Sequence, residues 1–250
     1  MASIYDTIYP KFKKEFTQAE LNEIYTPTEM EVILAEKSTV RQSAKLLFLI
    51  SLKCFQRLGY FLPISNIPEE IIYHISKILD IKLTDKMILN YGKSGSRQRH
   101  FQAIRAFLGV SPFDSKARHL IVVAIGKAAK TKEEPTDLIN IAIEELIKNS
   151  YELPAFSTIE RAVNRIRVSV NRSFYRKIFD SLNEEEVNKI NNLLENDEDL
   201  KSTPWNMIKR EPSSPTLNHL REIVSQLSWL KEQSIAVTAL QEIPYVKIKQ

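Results

Sequence analysis

Five glycines in 250 residues rule against any architecture that consumes glycine. Phosphate-cradling loops and two-residue hairpin turns both need its freedom at positive φ, so doubly wound nucleotide folds and all-β folds lose ground. What fills the chain is Leu, Ile, Lys, Glu, Asn and Ser in helix-compatible spacing. Hydrophobic residues make up 43%, enough for a real core. The sequence predicts an all-α fold in two consecutive helical subdomains, residues 1–131 and 132–250. The Lys/Glu-rich stretch 131–135 separates them.

Helix starts are well marked. Thr17 with Glu20, Thr28 with Glu31 and Ser157 with Glu160 all have capping-box spacing. A helix over residues 40–58 carries Leu46-Leu-Phe-Leu-Ile50, apolar nearly all round, and should lie centrally. Gly59 ends it and Pro63 forbids resumption. Pro68, Thr84, Asp114, Pro135 and Thr216 mark further starts. A long helix follows Phe156 to about residue 182, and a short one is expected near residues 236–242. Pro204, Pro212 and Pro215 should interrupt the stretch between 200 and 216.

The single cysteine, Cys54, reads as a small buried core residue, and one cysteine suits a reducing cytoplasm. No apolar run reaches the roughly 20 residues that cross a bilayer, so no membrane partner is expected. The N-terminus alternates aromatic and charged residues, unlike a secretory signal.

The net charge of +4 hides a strongly uneven distribution. Residues 93–132 hold nine Lys/Arg and one acid, and residues 157–177 hold six and one. Residues 183–200 reverse the balance, with seven acids and one Lys. Two basic blocks are the footprint of polyanion binding, although a solvated helix face gives the same pattern.

Each basic block contains a helical constellation. Lys93, Ser94, Gly95 and Ser96 form a polar lead-in, followed by Arg97-Gln98-Arg99-His100. At 100° per residue Gln98, Arg99, Gln102 and Arg105 share one face, opposite Phe101, Ile104 and Leu108. Arg and Gln are able to contact guanine and adenine edges bidentately. Serine hydroxyls and free amides at a helix start suit phosphate oxygens. In the second block Ile159, Val163, Ile166, Val170 and Phe174 form an apolar stripe. Arg161, Arg165, Arg172 and Arg176 fall on the other side, and Ser157 and Thr158 stand at the helix start. The preceding helix and the turn at residues 151–156 complete a loose helix-turn-helix-like unit.

Other chemistry finds no support. His74, His100, His119 and His219 are scattered without zinc spacing, and the string Gly92-Lys-Ser-Gly-Ser96 lacks Walker spacing and a preceding strand. Glu144-Glu145 and Glu184-Glu-Glu186 read as solvated faces, and Trp205 and Trp229 as packing residues.

Several stretches resemble the N-terminal region of the TnpA transposases of class II replicative transposons, the Tn-three family. They are Phe55-Gln-Arg-Leu-Gly-Tyr-Phe61, Arg97-Gln-Arg-His100 with Ile104-Arg-Ala-Phe-Leu-Gly-Val110, Asp137-Leu-Ile-Asn140 through Leu146, and Tyr151-Glu-Leu-Pro-Ala-Phe-Ser-Thr158. The resemblance covers most of residues 1–182. It implies the front part of a larger bacterial enzyme, at the nucleoid when bound, whose N-terminal region recognises terminal inverted repeats in double-stranded DNA. It also implies that the catalytic acidic triad, its divalent metal and any self-association belong to the full-length transposase. No catalytic or metal-binding position and no cofactor are therefore expected in this chain.

The expected function is sequence-specific recognition of transposon ends. The alternative is a helical scaffold that sets its basic faces on an acidic protein partner. A free-standing metal-dependent nuclease is the third and weakest reading.

Overall fold

A computed structural model describes residues 3–195, 202–209, 214–234, 240–241 and 243–248. Among these residues the chain is all-α, with no strand, and Ser111 and Tyr151 form an isolated bridge. The helices are α1 (Gln18–Glu20), α2 (Glu29–Ser38), α3 (Gln42–Leu58), α4 (Glu69–Leu79), α5 (Asp85–Gly92), α6 (Gly95–Leu108) and α7 (Ser115–Ala128). There follow α8 (Pro135–Lys148), α9 (Phe156–Asp180), α10 (Glu184–Asn192), α11 (Pro204–Ile208), α12 (Leu217–Gln233) and α13 (Tyr245–Ile248). The contacts divide the chain into two compact units, Met1–Arg167 and Val168–Gln250.

In the first unit α3 is the axis, as its all-round apolar run demands. Leu46, Leu47, Phe48, Leu49, Ile50 and Leu52 are all buried, with Ile71 and Ile75 of α4 and Ile104 of α6 in the same core. Each such side chain contributes about 1.5–3 kcal/mol by leaving water. Gly59 ends α3 in the left-handed region at φ 74°, and its amide donates to the Phe55 carbonyl. Both expected N-terminal capping boxes form, Thr17 with Glu20 and Thr28 with Glu31. Cys54 is buried, and burial pushes its thiol up to about 12, which keeps it protonated.

A second group of buried side chains belongs to α7, α8 and α9: Ala117, Ile121, Ile125, Leu138, Ala142, Ile143, Ile159 and Val163. Among the described residues α7 and α8 make the most extensive helix pairing. Between them lies the stretch 131–135, where the sequence places the subdomain boundary. That stretch is a tight turn joining two packed helices, with Lys132 paired to Asp137 across it at 3.0 Å. Lys132 and Glu134 are exposed there, and Glu133 is half-buried.

The stretches that carried the transposase resemblance meet in space. The Leu153 amide donates to the Gly59 carbonyl at 2.8 Å, and the Glu152 amide to the Ser111 carbonyl at 2.9 Å. The Glu152 carboxylate accepts from Arg105 Nε at 2.8 Å and from the Phe113 amide at 3.1 Å. Phe61 stacks on Phe101 with centroids 3.8 Å apart. The N-terminal segment is strapped to the same region. Tyr9 donates to the Pro154 carbonyl, and the Asn140 side chain accepts from the Ile8 amide.

The third capping box does not form. α9 begins two residues before the start that box implies, at Phe156, which packs edge-on against Tyr9 with centroids 5.5 Å apart. Ser157 thus sits inside the first turn, and its carbonyl accepts from Arg161 Nε.

In the second unit Asn183 and Glu186 form a capping box on α10, and Thr203 caps α11. Pro204 opens that helix as a first-turn residue instead of breaking the chain. Pro212, residues 196–200 of the acidic block and most of the expected helix near 236–242 lie outside the described residues. α12 buries no residue fully.

Candidate nucleic-acid interface

The α6 constellation is smaller than the sequence implied. Gln98, Arg99 and Gln102 are exposed on one face, and Arg99 donates to Ser96 Oγ at 3.1 Å. Lys93 is exposed at the end of α5. Ser94 is the N-cap residue, but its hydroxyl donates back to the Tyr91 carbonyl instead of capping. Arg97 is half-buried, with its guanidinium 5.7 Å from the centre of the Phe101 ring. It stands with Lys93 beside a groove of about 990 Å³ whose walls include Ile72, Tyr73 and Ile88.

Two expected contacts are withdrawn from the surface. His100 is 4% exposed, and its Nδ1 pairs with the Tyr91 hydroxyl at 2.9 Å. Its ring lies edge-on to Phe48 in the core, so it is a packing residue. Arg105 is committed to Glu152, with each side chain 17% exposed, and it also lies over the Phe61 ring.

On α9 the face assignment holds. In the first unit Ile159 and Val163 point inward and Ile166 is half-buried, while Arg161 and Arg165 are exposed. Thr158 is half-buried and Ser157 exposed. Arg167 is engaged by Glu133, 3.7 Å away. In the second unit Arg172 and Arg176 are exposed, and Val170 and Phe174 are half-buried. Trp205 and Trp229, read as packing residues, remain 42% and 36% exposed, with Lys209 over the Trp205 ring.

Sequence reasoning passed over α7. Lys116, Arg118, His119, Lys127 and the following Lys130 are all exposed, and residues 115–130 contain no acid. A helical projection of the basic block would have found this surface. The reading missed Glu152 and the buried Glu31–Lys53 pair for a different reason. Their partners lie 22 to 47 residues away in sequence.

Two buried histidines set a pH dependence. His74 faces Thr26 Oγ1 at 3.1 Å and His100 faces Tyr91. Desolvation, then the nearby Lys77 and Arg99 charges respectively, hold both below the ordinary 6.5. The unfolded chain takes up these protons near 6.5, before the folded one does. Stability is therefore complete above that pH and declines as pH falls through the depressed folded values. Urea midpoints should drop on acidification from about pH 7.5 to 5.5, and identical midpoints across that window would contradict the assignment.

Among the described residues no three His, Cys, Asp or Glu side chains converge on one point. No helix among them is long and apolar enough to cross a membrane.

Residues 4–166 match the family model described as a domain of unknown function, DUF4158. The chain belongs to the DUF4158 family. This match spans the whole first unit save its ends, including every stretch that meets around Gly59 and Glu152. The DUF4158 chain is also similar to transposases. It is 24% identical over 213 residues to a transposase for transposon Tn501 from Pseudomonas aeruginosa, covering 84% of this chain and 21% of that protein. It is 24% identical over 208 residues to a transposase for transposon Tn3926 from Escherichia coli, covering 82% and 20%. A transposase for transposon Tn1546 from Enterococcus faecium is 20% identical over 223 residues, covering 88% and 22%. The chain spans about a fifth of the length of these relatives. The transposase resemblance read from the sequence is borne out.

Proposed function

We propose that this DUF4158 chain binds double-stranded DNA at the terminal inverted repeats of a transposon. In this reading it holds the ends without cutting them, as the recognition region of a larger transposase. The acidic triad and the divalent metal of strand cleavage are assigned to other parts of that enzyme. The observation that carries the reading is the set of exposed arginines on α9 in a chain similar to transposases over most of its length. Arg161 and Arg165 lie on a helix whose opposite face is buried, so they are held outward at fixed spacing. α8, the turn before Phe156 and the start of α9 act as the helix-turn-helix-like reader. Gln98, Arg99 and Gln102 of α6 supply base-edge donors and acceptors.

A gel-shift assay on an inverted-repeat duplex, with random duplex as competitor, tests this directly. Preference for the repeat is expected, and equal competition by random DNA would overturn it. Two substitutions divide the labour. Arg99→Ala should relax preference at one base pair, at about 1–3 kcal/mol for a lost bidentate contact. Arg172→Ala should weaken all duplexes alike, as loss of a phosphate contact does. Indistinguishable behaviour of the two would reject that division.

A second reading, a protein-interaction scaffold, draws on α12. Leu217, Leu220, Val224 and Leu227 recur at three- and four-residue spacing there and are all exposed. On that reading the basic faces meet an acidic protein, and the gel shift shows no duplex binding.

A further inference from the structure

α7 carries a surface that neither its own fold nor the α6 and α9 contacts use. Asp114 caps it, accepting from the amides of Lys116 and Ala117. Ala117, Ile121 and Ile125 are buried on the inner face. At 100° per residue Lys116, His119, Val123 and Lys127 fall within an arc of roughly 80° on the outer face, and Lys130 follows in the turn just past the helix end. None of the three lysines is ion-paired among the described residues, and no acid stands on the helix to neutralise them. In the middle of this basic stripe Val123 is 56% exposed; Val122, about 100° round the helix on the flank of the stripe, is 46% exposed.

The combination restricts the partner. Valine is a modest helix former, and two exposed valines add nothing to the core, so the helix itself gains little from them. Unneutralised lysines want a polyanion, and the valines, one between the charges and one on their flank, want small apolar groups near those charges. The major groove of duplex DNA offers both, with phosphates on its two walls and thymine methyl groups on its floor. Lys116 and Lys127 are eleven residues apart, about 17 Å along the axis, enough to reach both walls of a groove about 12 Å wide.

We propose that α7 lies in the major groove of duplex DNA, with Lys116, Lys127 and Lys130 on phosphates and Val122 and Val123 against thymine methyl groups. This deepens the DNA-binding reading and rests on it. It makes the α7 valines specificity-determining residues for thymine at the contacted step. An acidic protein surface would satisfy the lysines but gives no response to a thymine methyl.

The test uses the full chain and a duplex that it selects from a random-sequence pool. Each thymine is replaced in turn by uracil, which removes only the methyl group. At one or two positions the loss should lower affinity about fourfold, the equivalent of one buried methyl. The Val122→Ala, Val123→Ala double variant should bind the thymine and uracil duplexes equally there. Lys116→Ala, Lys127→Ala and Lys130→Ala together should reduce the salt slope of binding by roughly 2–3. All five positions are exposed, so thermal unfolding should be unchanged. The inference is overturned if the valine variant keeps the full thymine preference and the lysine variant keeps the full slope, while Arg99→Ala still weakens binding. If the wild-type chain selects no duplex at all, it is the underlying DNA-binding reading that fails.

Discussion

Raising salt from about 50 to 200 mM is expected to weaken binding to inverted-repeat DNA by about 10³–10⁵-fold. The size follows from the number of phosphates neutralised. Each contacted phosphate releases condensed counterions and adds about 0.9 to the slope of log affinity against log salt. With Arg99 assigned to a base edge, and His100 and Arg105 engaged within the fold, Lys93, Arg161, Arg165, Arg172 and Arg176 remain exposed for this role. Lys116, Lys127 and Lys130 of α7 bring the set within the roughly 6–10 contacts that produce such a loss. Fluorescence anisotropy at four salt concentrations measures the slope. A flat response would mean that these cations meet no phosphate, and would return the chain to the protein-scaffold reading. Arg105→Gln should leave the slope unchanged, because its charge is already spent on Glu152.

The largest loss of stability is expected from Glu31→Ala. Glu31 lies on α2 and is 3% exposed, yet both of its oxygens are engaged. Oε2 accepts from the Thr28 amide at 2.7 Å, closing the capping box, and Oε1 accepts from Gln56 Nε2 at 2.7 Å. The Lys53 ammonium, also buried, stands 3.4 Å away on α3. Removing the carboxylate opens the cap and strands a buried cation, a change that costs about 3–5 kcal/mol where one partner of a buried pair is lost. Lys53→Met should cost less, since the Thr28 amide and Gln56 still hold the carboxylate. The double variant Glu31→Leu, Lys53→Met should recover much of the loss, because a buried apolar pair strands no charge. Denaturant midpoints at constant m-value give the comparison. A loss below about 1 kcal/mol for Glu31→Ala would show that the pair is solvated in solution.

Local signals were read well from sequence where neighbours in the chain decide them. The Thr17 and Thr28 capping boxes, the Asp114 cap and the Gly59 stop all involve residues three or four apart, and all form. The burial of α3 followed from apolar residues on every side of the helix. The exposed arginines of α9 followed from the angular separation between them and Ile159 and Val163. His100 failed as a surface residue because its ring is drawn inward by Tyr91 and Phe48, and neither lies near it in the helical register. Ser157 failed as a cap because Phe156 has a partner, Tyr9, some 150 residues earlier in sequence. The resemblance strings were legible as strings, but their reason was not. They are joints: Gly59, Arg105, Ser111 and Glu152 hydrogen-bond across the first unit and hold the end of α3, the end of α6 and the entry to α9 together.

What the sequence determined by itself is the helical class, most helix ends and the uneven charge that points to a polyanion. All three depend on composition and on spacings of one or two turns. Tertiary structure alone decided where the compact units divide and which cations stay available. A long-range contact costs no pattern in the local sequence, so Arg105 and Arg99 look alike on one helical face. Only the fold places Glu152 beside the first and leaves the second in solvent.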